Sequence, residues 1–204
     1  MRSLAIAALV SATLVAAAGC GGSDKSAAPS GGQSLSSSTA TGTTTTADGI
    51  DPLEGAGTTT VQGAATGQET ALLERIALGR HEGYDRVVFQ FKNQLPGYGV
   101  SYVQPPLKED GSGNPVSVAG NAVVVVRMEP ASGFDLNTAE GVLIYKGPKR
   151  IDGSSAGTSV VQQLVRSGDF EAVLSWAIGL SDKVDFRVTT ATSPARLIVD
   201  FRNH

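Results

Sequence analysis

The amino-acid sequence predicts an all-β fold, a small β-sandwich of two packed sheets, over its C-terminal two thirds. Three observations predict it. Val87, Phe89 and Phe91 alternate with Arg86, Val88, Gln90 and Lys92, the period of a strand with one buried face. Gly and Pro interrupt such stretches at short intervals, at Pro96-Gly97, Pro105-Pro106, Asp110 to Pro115, Gly147-Pro148 and Ser193-Pro194, where turns and not helices belong. Ala122 to Met128 holds four consecutive valines, a β-branched run fit for a strand buried on both faces.

A chain of 204 residues has room for one or two domains, but its first third is too poor in large apolar side chains to build a core. One domain is therefore expected, over residues 69–204. Residues 1–19 read as a secretory signal peptide: Arg2 supplies a positive start, Leu4 to Ala18 an apolar run, and Ala17, Ala18 and Gly19 a small-residue end. Cys20 follows directly, as in a lipobox, where the thiol takes diacylglycerol and becomes the new N-terminus; Ala17 stands where Leu is commonest in such boxes. The apolar run is shorter than the ~20 residues of a spanning helix. Two or more acyl chains make a stable anchor, which places the chain at the cell membrane on its extracytoplasmic face.

From residue 20 to 68 the chain is dominated by Gly, Ser, Thr and Ala, with the runs Ser36 to Thr39 and Thr43 to Thr46. Such a segment buries too little to offset its ordering entropy, so a disordered tether is expected, with an r.m.s. span of roughly 35 to 40 Å. The Thr runs are also candidates for O-linked sugar.

Within the domain, Leu72, Leu73, Ile76 and Ala77 fit a helix face as well as a strand; the strand is preferred because Gly79 to Asp85 suits a hairpin loop that returns it against residues 86 to 92. Pro96 to Gly99 reads as a turn and Val100 to Val103 as a short strand. Pro105-Pro106 ends it. Later strands are expected at Ala122 to Met128, Val142 to Tyr145, Val160 to Val165, Phe170 to Leu180, Phe186 to Ala191 and Arg196 to Phe201, with a turn at Ser167-Gly168-Asp169. In the strand from Phe170, Leu174, Trp176, Ile178 and Leu180 share one side, which assigns Trp176 to the core.

Two strands share an order. Arg196-Leu-Ile-Val-Asp-Phe201 repeats the Arg, three apolar, polar, Phe of Arg86 to Phe91. With Gly79-Arg-His-Glu-Gly-Tyr-Asp85, Pro96-Gly-Tyr-Gly-Val100, Asp110-Gly-Ser-Gly113, Gly168-Asp-Phe-Glu171 and Trp176-Ala-Ile-Gly-Leu180, the region resembles the AMIN-like domain of bacterial envelope lipoproteins. The resemblance implies a two-sheet β-sandwich that works as a non-enzymatic binding module, engaging peptidoglycan or an envelope protein. No amidase or pore domain accompanies it in this sequence.

Composition narrows the chemistry. From Glu69 onward basic and acidic residues nearly balance without clustering along the chain, unlike the concentrated basic face of a nucleic-acid binder. A nucleophile and base pair or a metal set is hard to assemble from His81 and His204 once Cys20 carries lipid, so neither catalysis nor a cofactor is expected. His81 with Glu82 is read as a solvated loop. Asp110, Ser112 and Asn114 alternate like the start of a calcium loop, but Pro115 and Asn121 occupy positions that need Gly and Glu.

A sugar ligand needs aromatic faces beside hydrogen-bonding groups. Tyr84, Tyr98 and Tyr102 lie in or next to turns and offer such faces, or else cap the core with wet hydroxyls. Arg80 and Arg86 would address a lactyl or peptide carboxylate. Arg86 and Arg196 would otherwise pair with strand carboxylates, for which Asp85 and Asp200 are the candidates. A rival reading is a carrier holding a small apolar ligand inside the sandwich, between Val123 to Val126 and Leu174 to Leu180.

Overall fold

The computed structural model describes residues 51–138 and 140–203. The signal segment, Cys20, the tether as far as residue 50 and His204 lie outside the described residues. In chain order the strands are β1 (Val61–Gly63), β2 (Ala71–His81), β3 (Tyr84–Phe91), β4 (Gly97–Val103), β5 (Leu107–Lys108), β6 (Pro115–Val116), β7 (Ala122–Glu129) and β8 (Ala131–Ser132). They continue with β9 (Phe134–Asp135), β10 (Val142–Leu143), β11 (Arg150–Asp152), β12 (Val161–Phe170), β13 (Val173–Leu180), β14 (Phe186–Thr192) and β15 (Ala195–Arg202). A 3-10 turn at Gly153–Ala156 is the sole helical element among the described residues.

Two main sheets carry the fold, ordered β1-β4-β7-β13-β12-β11 and β14-β15-β3-β2-β8. All pairings are antiparallel except β2 with β8. The all-β sandwich expected from the alternating pattern is what forms. Val87, Phe89 and Phe91 of β3 and Leu197, Val199 and Phe201 of β15 turn inward from the second sheet to meet Leu174, Trp176 and Ile178 of β13 from the first. The ring of Phe89 lies 6.4 Å from that of Trp176, and Tyr145 meets the same indole edge-on at 5.7 Å. Burying each such side chain stabilises the fold by about 1.5–3 kcal/mol.

The valine run sits where its composition demands. β7 lies between β4 and β13, and Val123, Val124 and Val126 are buried. The far face of β13 is covered too, because the turn after β5 docks on it through the Ser175 hydroxyl, which donates to Asp110 Oδ2 at 2.6 Å. Gly179 leaves no room for a Cβ against the carbonyl oxygen of Ala119.

A buried carboxylate joins the two sheets. Asp85 on β3 accepts backbone N–H groups from Ser159, Val160 and Val161 at 2.8, 2.6 and 3.1 Å, and the Asn203 amide donates to it at 2.8 Å. Four donors satisfy a group that burial would otherwise penalise heavily.

Several expected boundaries move. Residues 51–68, assigned to the tether, are part of the folded body. Leu53 is fully buried, Gly57 exchanges two backbone hydrogen bonds with Phe186, and β1 pairs with β4. A segment too polar to fold alone can still be ordered by adding its backbone to an existing sheet edge and inserting one leucine. The first hairpin turns at Glu82-Gly83, so Arg80 and His81 belong to β2; Gly83 does take a positive φ, of 83°.

The expected turn at Ser167 to Asp169 is strand, with a bulge beside it. Gly168 is there because a side chain would strike Asp110. The chain reverses instead at Glu171 and Ala172, which hold φ of 51° and 59° without glycine, so Phe170 ends β12 and β13 starts at Val173. β4 begins already at Gly97, where the carbonyl of Glu129 crowds the Cα. Val142 to Tyr145 contributes only two strand residues, paired with β9 in a small ribbon outside both sheets.

Candidate functional site

The second sheet's outer face is assembled in rows by strand register. Arg75 of β2, Gln90 of β3 and Arg196 of β15 stand side by side; the next row is Ala77, Val88 and Ile198. A third row holds Gly79, Arg86, Asp200 and, from β14, Arg187. His81, Tyr84 and Arg202 close the face. Neighbouring strands are about 4.8 Å apart, and rows on one face about 6.6 Å. The first two rows and Arg86 surround a concavity of about 260 Å³ whose floor is the apolar row.

The charges at the two ends of this concavity differ in kind. Arg86 grips Asp200 with two bonds, Nε to Oδ1 at 2.6 Å and Nη2 to Oδ2 at 2.9 Å, while Arg187 Nη2 donates to Oδ2 at 3.2 Å. The Asp200 carboxylate holds the Arg86 guanidinium above its already high pKa. Of the two candidate carboxylates, Asp200 is the one that pairs with Arg86. At the other end Arg75 and Arg196 make no ion pair among the described residues. One carboxylate stands at the rim, that of Glu74, which accepts from the Gln90 amide at 3.0 Å. Two guanidinium groups flanking an amide above a methyl-rich floor can grasp a carboxylate or phosphate whose aliphatic part rests on the floor.

At the far end lies an aromatic platform. His81 stacks on Tyr84 with centroids 4.8 Å apart and planes 14° from parallel, and the Arg86 guanidinium lies 5.1 Å from the Tyr84 centroid. Tyr84 and Arg86 are thus the expected ligand residues that the fold brings together. Arg80 is exposed but in register with Asp85, on the opposite side of β2 from Arg75 and His81. Tyr98 and Tyr102 are on the first sheet and pack against the core. The Tyr102 hydroxyl donates to the Val184 carbonyl at 2.7 Å and accepts its N–H at 3.0 Å; burial pushes its pKa up. Tyr98 lies over Gly63 and borders a separate hollow with Gln62, Arg127 and Glu129. These two rings cap the core, so no shared aromatic surface of Tyr84, Tyr98 and Tyr102 exists.

Asp85 is taken up by the clasp described above and does not pair with an arginine. Asp110 and Ser112 are engaged by Ser175 and Glu109. Among the described residues no group of three or more His, Cys, Asp or Glu side chains is placed to hold a metal. The space between the sheets, expected to receive a small ligand under the carrier reading, is filled by Trp176, Phe89, Tyr145 and their neighbours.

Arg75 was missed in sequence because the bulge between Leu73 and Arg75 shifts the parity of β2. Arg196, Val88 and Gln90 carried a usable signal. They occupy the outward positions of the two strands with the shared Arg-to-Phe order, whose alternation already separates the faces.

Fold and face together define an all-β sandwich with a cation-rimmed, apolar-floored surface on one sheet. The AMIN-like domain profile matches residues 71–203, and the chain belongs to the AMIN-like domain family. The match begins at β2, so the docked segment with Leu53 and β1 precedes it. No curated protein and no solved structure matches the chain.

Proposed function

We propose that the chain is a lipid-anchored, non-enzymatic envelope module, held on the extracytoplasmic face of the cell membrane through Cys20, that engages peptidoglycan or an envelope protein through the outer face of its second sheet. The observation that carries this reading is the row Arg75, Gln90, Arg196 above Ala77, Val88 and Ile198. Guanidinium, amide and phenol groups hold anions and hydroxyls; they do not supply a nucleophile with its base. The lipobox-like Gly19-Cys20 after an apolar run and the family membership support the location.

The test is retention of the chain on purified cell wall. Each exposed charge-assisted hydrogen bond is worth about 1.5 kcal/mol, near a tenfold change in affinity. Arg75→Ala with Arg196→Ala is expected to lower retention at least tenfold with the melting temperature unchanged. Equal retention of wild type and double variant overturns the assignment of this face. For the anchor, Cys20→Ser is expected to move the protein from membranes to the soluble fraction, and a variant that still sediments with membranes refutes lipid attachment.

A further inference from the structure

Five large hydrophobic side chains are exposed among the described residues: Phe134, Leu136, Val142, Leu143 and Phe170. Scattered singly they would need no explanation. Four of them are instead gathered on one small ribbon. Phe134, Leu136, Val142 and Leu143 lie on or beside the β9–β10 ribbon, and Phe170 ends β12. The base of the ribbon is tied to the β12–β13 hairpin, since the Ser132 hydroxyl and the Gly133 N–H donate to Asp169 at 2.8 and 3.1 Å and the Ala131 N–H donates to the Ala172 carbonyl at 2.8 Å, whereas Phe170, next in the strand, faces the other way and lies beside Gly111. Four exposed hydrophobes concentrated on one short ribbon mark it as an interaction element.

Its charge selects the partner. Asp135 and Glu140 are interspersed with the hydrophobes and make no ion pair among the described residues. An anionic bilayer would repel such a patch. The patch also lies near Ala71, at the start of β2, whereas Asp51 and Pro52 dock beside Arg202 and Gly83, past its other end. Eleven strand residues separate the two ends, about 36 Å. The complement of an apolar ridge with a carboxylate rim is an apolar hollow with a cationic rim. The molecule carries one in Ala77, Val88 and Ile198 between Arg75 and Arg196.

We propose that the β9–β10 ribbon of one chain docks in the arginine-rimmed hollow of a second copy, with Leu136 on the apolar floor and Asp135 and Glu140 facing Arg75 and Arg196. The two surfaces differ, so the contact is head to tail and extends into a row or ring of copies instead of closing as a two-fold dimer. The envelope ligand and the second copy then compete for the same arginines.

The test is sedimentation velocity on the chain from residue 21 onward, which retains every described residue. Wild type is expected to gain mass with concentration. Leu136→Asp, at a side chain 76% exposed, is expected to stay monomeric with an unchanged melting temperature, and so is Arg75→Glu with Arg196→Glu. Mixed one to one, the first variant contributes an intact hollow and the second an intact ribbon, so the mixture is expected to stop at twice the monomer mass. A wild type that stays monomeric, association that survives Leu136→Asp, or a mixture that does not pair overturns the proposal. Leu136→Asp should also still bind cell wall, so failed self-association and failed wall binding are told apart.

Discussion

Asp85 and Asp200, both fully buried, are satisfied by different means, and the difference follows from strand parity. Asp200 points outward with Arg86 and takes two arginines; Asp85 points inward and takes three backbone N–H groups and Asn203. Removing the Asp85 carboxylate strands several buried donors, each costing about 1–3 kcal/mol. Asp85→Ala is therefore expected to lose about 3–5 kcal/mol in denaturant unfolding, and Asp85→Asn less, since one acceptor oxygen survives. Asp51 acts at the surface. Hydrogen bonds from Arg202, then from the Leu53 N–H, hold its pKa down to about 2 from the ordinary 3.8. A carboxylate whose pKa is depressed on folding contributes stability above the unfolded value, lost as pH falls through the folded one. The docking of residues 51–57 is thus expected to hold above about pH 4 and loosen towards pH 2, read as faster hydrogen exchange at Gly57. Sequence offered Asp85 and Asp200 alike as partners for Arg86 and Arg196; strand register chose Asp200 for Arg86, because both sit on outward positions of paired strands. The fate of Asp85 was not, since its donors come from residues 159–161, far along the chain.

At the scale of the element, the segment before β2 shows how little apolar content a docked strand needs. Leu53 fills a fully buried site, and β1 completes an edge of the first sheet. Leu53→Ala is expected to cost about 2–4 kcal/mol, and a chain beginning at residue 69 more, both measured as a lowered denaturation midpoint. Composition concealed this segment, because its order comes from β4 and Phe186 and not from its own residues. The hairpin between β12 and β13 misled in the opposite sense. Gly168 advertised a turn but serves a close approach to Asp110, while the real turn uses Glu171 and Ala172 in left-handed conformations that glycine would more readily adopt.

For the whole molecule the informative feature is convergence. Arg75, Arg86 and Arg196 are spread along a chain with no basic cluster, yet the order β15-β3-β2 places them on one face. Salt screens exposed charges, with a Debye length of about 8 Å at physiological ionic strength and about 3 Å at 1 M. Retention on cell wall is accordingly expected to fall several-fold between 0.05 and 0.5 M salt (both about the range over which that screening develops), checked by elution from the wall pellet. Salt-independent retention would assign binding to the apolar ribbon instead.

The order of amino acids alone determined most of the longer strands, which side of most of them is wet, that Trp176 is core, and the family, because alternation and turn chemistry are local properties. Tertiary structure decided that residues 51–68 belong to the body, that Tyr98 and Tyr102 are caps, and that three distant arginines share a hollow. These depend on which strands become neighbours and in what register, a matter settled by burial and hydrogen bonding across the sheets and not written in any one segment.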